Sequence, residues 1–375
     1  MKSNRINALT GLRAFAMITV FCSHLNCLAE TPFRGLYAFI DNGKFGVNFF
    51  LVLSGFVLAL GYSHKLNIKN PAQDIQFIKK RVSKIYIPYI ITTFLGIPWY
   101  IYDNFLRGGS FDLKMLIIRL LINTGMIQSA IPFLKYSTSI NYVAWFISTM
   151  FIIYLFTPAI LRFNNRTAER DTRLKLIFRV FALLAAYCCV YMIIRQIEFV
   201  WFAHSYLNII YVSPLIRIFP FLLGIVGYSI YCHFDGFRFR NGSYAEIMSM
   251  AMFVLWWIAE NKTGLPTVVT ECISMLISLC VVLVFAFSRD GAVSVFLSKE
   301  KIQYLGNISL EFYLIHYIVI NYGMIAAGHF GLDKGIAVLP LTVLFFAISL
   351  YGAGLIRSFS GWLTLALRNK TGSQV

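Results

Sequence analysis

The chain has 375 residues, of which 58% are hydrophobic and 17% aromatic, while only 13% carry charge. Soluble domains run nearer 25% charged, so too little polar surface remains to cover a core, which excludes a soluble enzyme, a disordered chain and a coiled coil. The formal net charge of +17 would suggest nucleic acid if the basic residues shared a soluble face. They sit between apolar stretches instead, which is the pattern of membrane topology, and no nucleic-acid partner is expected.

A bilayer span needs about 20 apolar residues. Ten candidates follow in chain order, at 9–29, 45–62, 85–105, 142–161, 176–194, 214–231, 244–260, 267–287, 308–327 and 336–357. The fold class expected is all-α, a polytopic integral membrane protein of about ten transmembrane helices. Two further stretches, 115–127 and 198–213, read as interfacial or re-entrant. The first span has no cleavable-signal exit. About 18 residues follow the last span, so the expectation is one membrane domain over 1–375 with no appended soluble domain. Orientation follows from Lys and Arg. With the N-terminus inside, 22 cations fall on the cytoplasmic side, nine outside, and Arg13 and Arg217 within spans, which is the whole complement of 33. That bias places both termini in the cytoplasm. The seven cysteines form no C-x-x-C pair and read as small buried residues, with no structural disulfide and no metal site expected.

An ionisable group inside a span costs about 2.5–3.5 kcal/mol at mid-membrane, and each one is a functional hypothesis by default. The candidates are Arg13, His24, Arg217, Glu311 and His316. Arg13 and His24 are eleven residues apart on the first span. At 100° per residue they share a face, about 16 Å apart along the axis, with a permanent cation below and a titratable base above. The competing reading is that Arg13 snorkels to the interface and His24 is satisfied packing.

The second span carries Phe49, Phe50, Ser54, Gly55 and Phe56. Its small residues permit close helix contact, and its rings can wall an apolar slot. The loop before the third span holds Lys79, Lys80, Arg81 and Lys84, an anion site for a phosphate-rich ligand or for lipid headgroups. In the ninth span Ser309, Tyr313 and His316 fall on one face, and Glu311 points about 140° away from His316.

Together these segments resemble one family, the bacterial membrane acyltransferases of family 3, which acylate hydroxyls of surface polysaccharides. Arg13…His24 is similar to the family's opening Arg-x10-His signature. Phe49-Phe50…Ser54-Gly55-Phe56 resembles its F-F-x-x-S-G-F motif with one extra residue. Arg217…Phe221-Leu-Leu-Gly224 resembles an R…F-x-x-G span, and Ser309…Tyr313-Leu-Ile-His316 a late S-x-x-x-Y-L-x-H segment. Two positions depart: Lys84 stands where the family's R-x-x-R has its second arginine, and Met150 where a W-S-L-x-x-E-like segment has its carboxylate.

The resemblance implies acetyl-CoA, or another short acyl-CoA, as a cytoplasmic co-substrate, with no tightly bound cofactor. It implies a sugar hydroxyl on a polysaccharide or lipid-linked glycan as acceptor, in the inner membrane of a bacterial cell. His24, Arg13 and His316 are then the expected catalytic residues. Arg81, Lys84, Phe49, Phe50, Ser54, Gly55, Phe56, Arg217, Glu311 and Tyr313 are the expected substrate-binding ones. A neutral-pH base suits transfer to a hydroxyl; His24 can act as that base or carry the acyl group itself. The rival class is a transporter or flippase, against which the halves show no repeat symmetry.

Overall fold

The computed structural model describes residues 6–66, 68–106, 112–202, 209–288 and 290–371, without the side chains of 134, 135, 201, 202, 209 and 367–371. Lys2, Arg5, Arg107 and Arg289 of the charge count therefore lie outside the described residues, as do the side chains of Lys135, Arg368 and Lys370. The described residues form helices and no strand. In chain order these are α1 (Asn7–Ser23), α2 (Arg34–Ile40), α3 (Gly43–Tyr62), α4 (Pro71–Leu106), α5 (Leu113–Thr124) and α6 (Leu134–Ser137). Then come α7 (Trp145–Ala168), α8 (Arg173–Phe202), α9 (Ile209–Val212), α10 (Pro214–His233) and α11 (Gly242–Ala259). The last are α12 (Thr267–Ser288), α13 (Ala292–Leu297), α14 (Glu300–Asn307), α15 (Ser309–His329) and α16 (Val338–Thr371). Nine helices among the described residues are long and apolar enough to cross a membrane, and α1, at 17 residues, is a shorter apolar helix. In lipid every backbone polar group needs an internal partner, and helices provide it.

Several boundaries differ from the sequence expectation; α16 runs to Thr371 instead of 357 and α7 to Ala168 instead of 161. The first helix stops at Ser23 instead of 29, and a 3-10 turn over Asn26–Leu28 follows. The third begins at Pro71 instead of 85. Asn70 Oδ1 accepts the backbone N–H of Ala72 at 3.1 Å and of Gln73 at 3.3 Å, so an Asn cap followed by Pro starts the helix inside a polar stretch that hydropathy passes over. The cations Lys79–Lys84 thus lie on the helix, not in a loop before it. At 36 residues α4 is about 54 Å long against a hydrocarbon core of about 30 Å, so its first third extends past the apolar layer. Finally, Glu198 belongs to α8, which runs on to Phe202, and not to a separate interfacial stretch.

Helix α5 does not continue across the membrane. After Thr124 the chain turns back through Met126, which has φ 54°. Ser148 holds that turn by donating to the Met126 carbonyl at 2.7 Å, and Tyr89 donates to the Asn123 carbonyl at 2.7 Å.

Glycines bring the central helices to backbone contact. A Cβ on Gly55 would run into the Phe221 carbonyl oxygen, and one on Gly224 into the Val52 carbonyl oxygen, so α3 and α10 touch main chain to main chain. Gly46 lets α3 lie close to α1, against the Thr19 and Val20 side chains and the Ala16 carbonyl. Small residues at the crossing allow this in lipid, where dispersion between backbones replaces the hydrophobic effect. Around this contact Phe45, Phe49, Phe56, Phe221 and Phe285 are fully buried. A second cluster, with Met17, Phe21, Phe312 and Phe345, joins α1, α15 and α16. Glu246 of α11 is also fully buried. Its carboxylate accepts the Ser294 backbone N–H at 2.9 Å and the Ser294 hydroxyl at 2.5 Å, tying α11 to the start of α13.

Candidate active site

His24 is the residue that ends α1. Its Nδ1 lies 2.9 Å from the Val20 carbonyl oxygen and 3.1 Å from Nε2 of His316. His316, fully buried on α15, has its own Nδ1 3.2 Å from the Phe312 carbonyl oxygen. These contacts assign the protons. A carbonyl only accepts, so His24 Nδ1 carries a hydrogen, and so does His316 Nδ1. His316 Nε2 is then a lone pair that accepts from His24. Two rings in series leave His24 Nε2 unprotonated, in the form a general base needs. Phe312 stacks on His316 with ring centroids 5.8 Å apart, fixing its plane. Tyr142 and Tyr317 stand edge-on to His24, at 6.3 and 5.5 Å.

His24 lines a cavity of about 820 Å³; His316 lies behind it. The cavity opens where α1 ends and where α3, α10 and α12 begin. Its walls include Tyr37, Asp41, Lys44, Tyr142, Trp145, Arg195, Glu198, Tyr211, Tyr313 and Tyr317. Aromatic faces beside carboxylates, amides and cations are the furniture of a site for a polar, hydroxyl-bearing ligand. Tyr313 is held by a 2.8 Å hydrogen bond that its hydroxyl donates to the Val143 carbonyl.

Arg217 also faces this cavity and is 1% exposed. Ser213 and Pro214 start its helix, with the Ser213 hydroxyl accepting the Leu215 N–H at 3.2 Å. The guanidinium meets Glu271 through Nη1 at 2.9 Å and Nη2 at 3.2 Å. It also donates to Asn48 Oδ1 at 3.0 Å and, through Nε, to the Tyr211 carbonyl at 2.7 Å. Asn48 completes the network by donating to Glu271 at 2.7 Å. A buried charge pair persists only when its hydrogen bonds are met in this way.

The remaining sequence candidates fall elsewhere. Arg13 is half-buried on α1, and its charge and that of Arg81 both act on Tyr154 of α7. Arg81 lies over the ring of Tyr62 at 4.7 Å, with its Nε buried and without a hydrogen-bond partner. Lys84 is exposed on α4, within the electrostatic reach of Arg81 and Arg357. These cations gather at the end of the bundle opposite His24. Glu311 turns away from His316 towards α16, 3.7 Å from Arg357. Phe49 packs against Phe253, Phe56 against Tyr228 and Tyr231, and Phe50 against Phe146. With Ser54 and Gly55 they sit in the packing of α3, apart from the cavity lining.

Sequence reasoning passed over Glu271 and Asn48, and over Glu198 and Glu246. Glu271 and Glu246 lie inside the expected spans 267–287 and 244–260, so the criterion that selected Glu311 selects them too. Asn48 carries no charge, and that criterion does not reach it.

The bundle thus places a histidine pair at a polar cavity, and comparison with known proteins supplies the class, a membrane acyltransferase. Residues 6–358 match the family model described as an acyltransferase domain, and the chain belongs to that family, acyltransferase family 3. Among curated proteins, Acyltransferase MdmB of Streptomyces mycarofaciens is 25% identical over 342 residues, covering 85% of this chain and 80% of that protein. No solved structure matches the chain.

Proposed function

We propose that this membrane acyltransferase moves an acetyl group, or another short acyl group, from cytoplasmic acyl-CoA to a sugar hydroxyl of a cell-surface polysaccharide or its lipid-linked precursor. The membrane is the bacterial inner membrane, and both termini face the cytoplasm. The observation that carries this reading is the pair of contacts that His24 Nδ1 makes with the Val20 carbonyl and His316 Nε2, which reserve Nε2 as the lone pair of a residue lining a polar aromatic cavity. The acceptor occupies that cavity. Its hydroxyl proton passes to His24 Nε2 as the oxygen attacks the thioester carbonyl carbon. The tetrahedral adduct then collapses, the C–S bond breaks, and the thiolate takes the proton back to leave as free CoA. The imidazolium formed in between donates through Nδ1 to the Val20 carbonyl and to His316, both already in place.

Arg13, Arg81 and Lys84 bind the donor phosphates from the opposite end of the bundle. Arg217 and Glu271 hold the far wall of the acceptor cavity. The thioester then has to enter the bundle to reach His24, away from bulk water, where hydrolysis is limited. Membranes given labelled acetyl-CoA test the reading: the enzyme leaves label on glycan, whereas a carrier does not. Mass spectrometry of glycans with and without the gene identifies acyl group and acceptor together. His24→Gln, which keeps hydrogen bonding but cannot take a proton, should insert normally and lose about 10²–10⁴ in transfer rate. Near wild-type transfer by that variant would remove His24 from the mechanism.

A further inference from the structure

At the end of α10 and α12 remote from the cavity lies a second concavity of about 450 Å³, lined only by apolar side chains and Cys280. Ile230 of α10 and Phe234 just after it form one wall, and Leu283 and Phe287 of α12 another. Its roof is the segment that joins α10 to α11, which reads Phe237-Arg238-Phe239-Arg240. The two phenylalanines line the groove, packed edge-on at 5.1 Å, and Phe237 also meets Phe287 at 5.3 Å. The two arginines between and after them are exposed. Gly236, at φ 81°, makes the turn that sets this alternation. Arg173, the first residue of α8, adds a third cation, its guanidinium 4.7 Å from the Phe234 ring centroid. Asp235 adds a carboxylate, which accepts the Gly236 N–H at 3.0 Å. The mouth therefore keeps a net positive charge over a dry apolar slot.

We propose that this groove is a binding site for an anionic phospholipid of the leaflet on the side of α1's first residue. One acyl chain lies beneath Phe237 and Phe239, and the phosphate sits among Arg173, Arg238 and Arg240. The alternation of ring and guanidinium separates apolar from charged contacts over the span of four residues, which matches the junction of tail and headgroup. Exposed arginines at a membrane surface attract anionic lipid by about 1 kcal/mol each, and the slot supplies the contact that makes the attraction local. The site is independent of the acyl-transfer reading, but α10 and α12 also carry Arg217 and Glu271, so a lipid wedged between their far ends braces the same helix pair.

The test uses the full chain purified in detergent doped with equal phosphatidylglycerol and phosphatidylcholine of matched chains, with retained lipid counted by native mass spectrometry. Wild-type protein should retain phosphatidylglycerol in preference. The exposed-residue variant Arg173→Gln/Arg238→Gln/Arg240→Gln should lower the ratio of the two lipids at least tenfold, at about fivefold per arginine. Cys280→Trp, which fills the groove, should lose both lipids. A wild-type ratio of one, or a ratio unchanged in the triple variant, overturns the proposal, as does full retention by Cys280→Trp. Displacement of phosphatidylglycerol by polyprenyl phosphate at matched concentration would assign the groove to a different lipid. Should the tryptophan variant fail to fold, the triple variant alone decides.

Discussion

Replacing His316 by Leu tests the histidine relay most directly. The substitution keeps an apolar side chain of similar bulk against Phe312 and Phe21, and it removes the one acceptor that His24 Nδ1 shares with the Val20 carbonyl. In the resting enzyme that hydrogen bond joins two neutral rings. Once His24 has taken the acceptor's proton, the donor is an imidazolium, and hydrogen bonds to charged groups contribute about 1.5–3 kcal/mol. At about 1.4 kcal/mol per decade, turnover should fall roughly 10- to 150-fold while the KM for acyl-CoA stays unchanged. His24→Gln, which removes the base itself, should lose about 10²–10⁴. The double variant should be no slower than His24→Gln alone, because His316 acts only through its partner's charge. The assay is single-turnover acetyl transfer normalised to folded protein. A His316→Leu enzyme within threefold of wild type refutes the relay, as does a double variant whose loss equals the product of the two single losses.

Arg81→Ala with Lys84→Ala should raise the KM for acyl-CoA and leave insertion intact, whereas Lys84→Arg should be tolerated; unchanged donor affinity in the double variant would reduce the cluster to topology. Arg217→Met should destabilise by about 3–5 kcal/mol, because Glu271 is left buried and unpaired, and adding Glu271→Met should recover most of the loss. Melting of the purified variants in detergent checks this, and equal melting of single and double variants contradicts it. Gly224→Ala should sharply lower folded yield by forcing α3 and α10 apart, while Gly61→Ala, with open space around its Cβ position, should not; similar yields from both, by fluorescence-detected size exclusion, would be the contrary result.

Much of the helical layout is legible in the sequence because lipid makes hydropathy a strong signal. Helix ends governed by polar chemistry are less so. Asn70 and Pro71 start α4 where the hydropathy is low, and α1 ends at His24, whose ring bonds back to Val20, inside an apolar run. Periodicity separates Glu311 from His316 correctly, since both lie on one regular helix. The meeting of His24 with His316, 292 residues later, depends on how α1 packs against α15, and no local pattern encodes it. The Phe49–Phe56 segment shows the opposite limit: its pattern is conspicuous, yet its rings pack against α7, α10 and α11, beside the glycine that brings α3 onto Phe221.

The close glycine contacts of α3 with α1 and with α10 divide the cavity wall into two mechanical classes. His24, Val47 and Arg217 ride on three helices held together at Gly46, Gly55 and Gly224, and they move as one slab. The facing wall is made of segments held by side-chain hydrogen bonds instead of backbone contact: the turn that carries Asp41, tied by Asn42 to Trp257 and Glu260, and the short stretch before Tyr142, tied by Asn141 to the Leu314 carbonyl, beside the end of α8 with Tyr191 and Arg195. A library built to change which hydroxyl compound the enzyme accepts belongs in that facing wall, where a bulkier or smaller side chain is absorbed by local movement. The same substitution in the slab shifts the base itself, and activity is lost before selectivity can be selected.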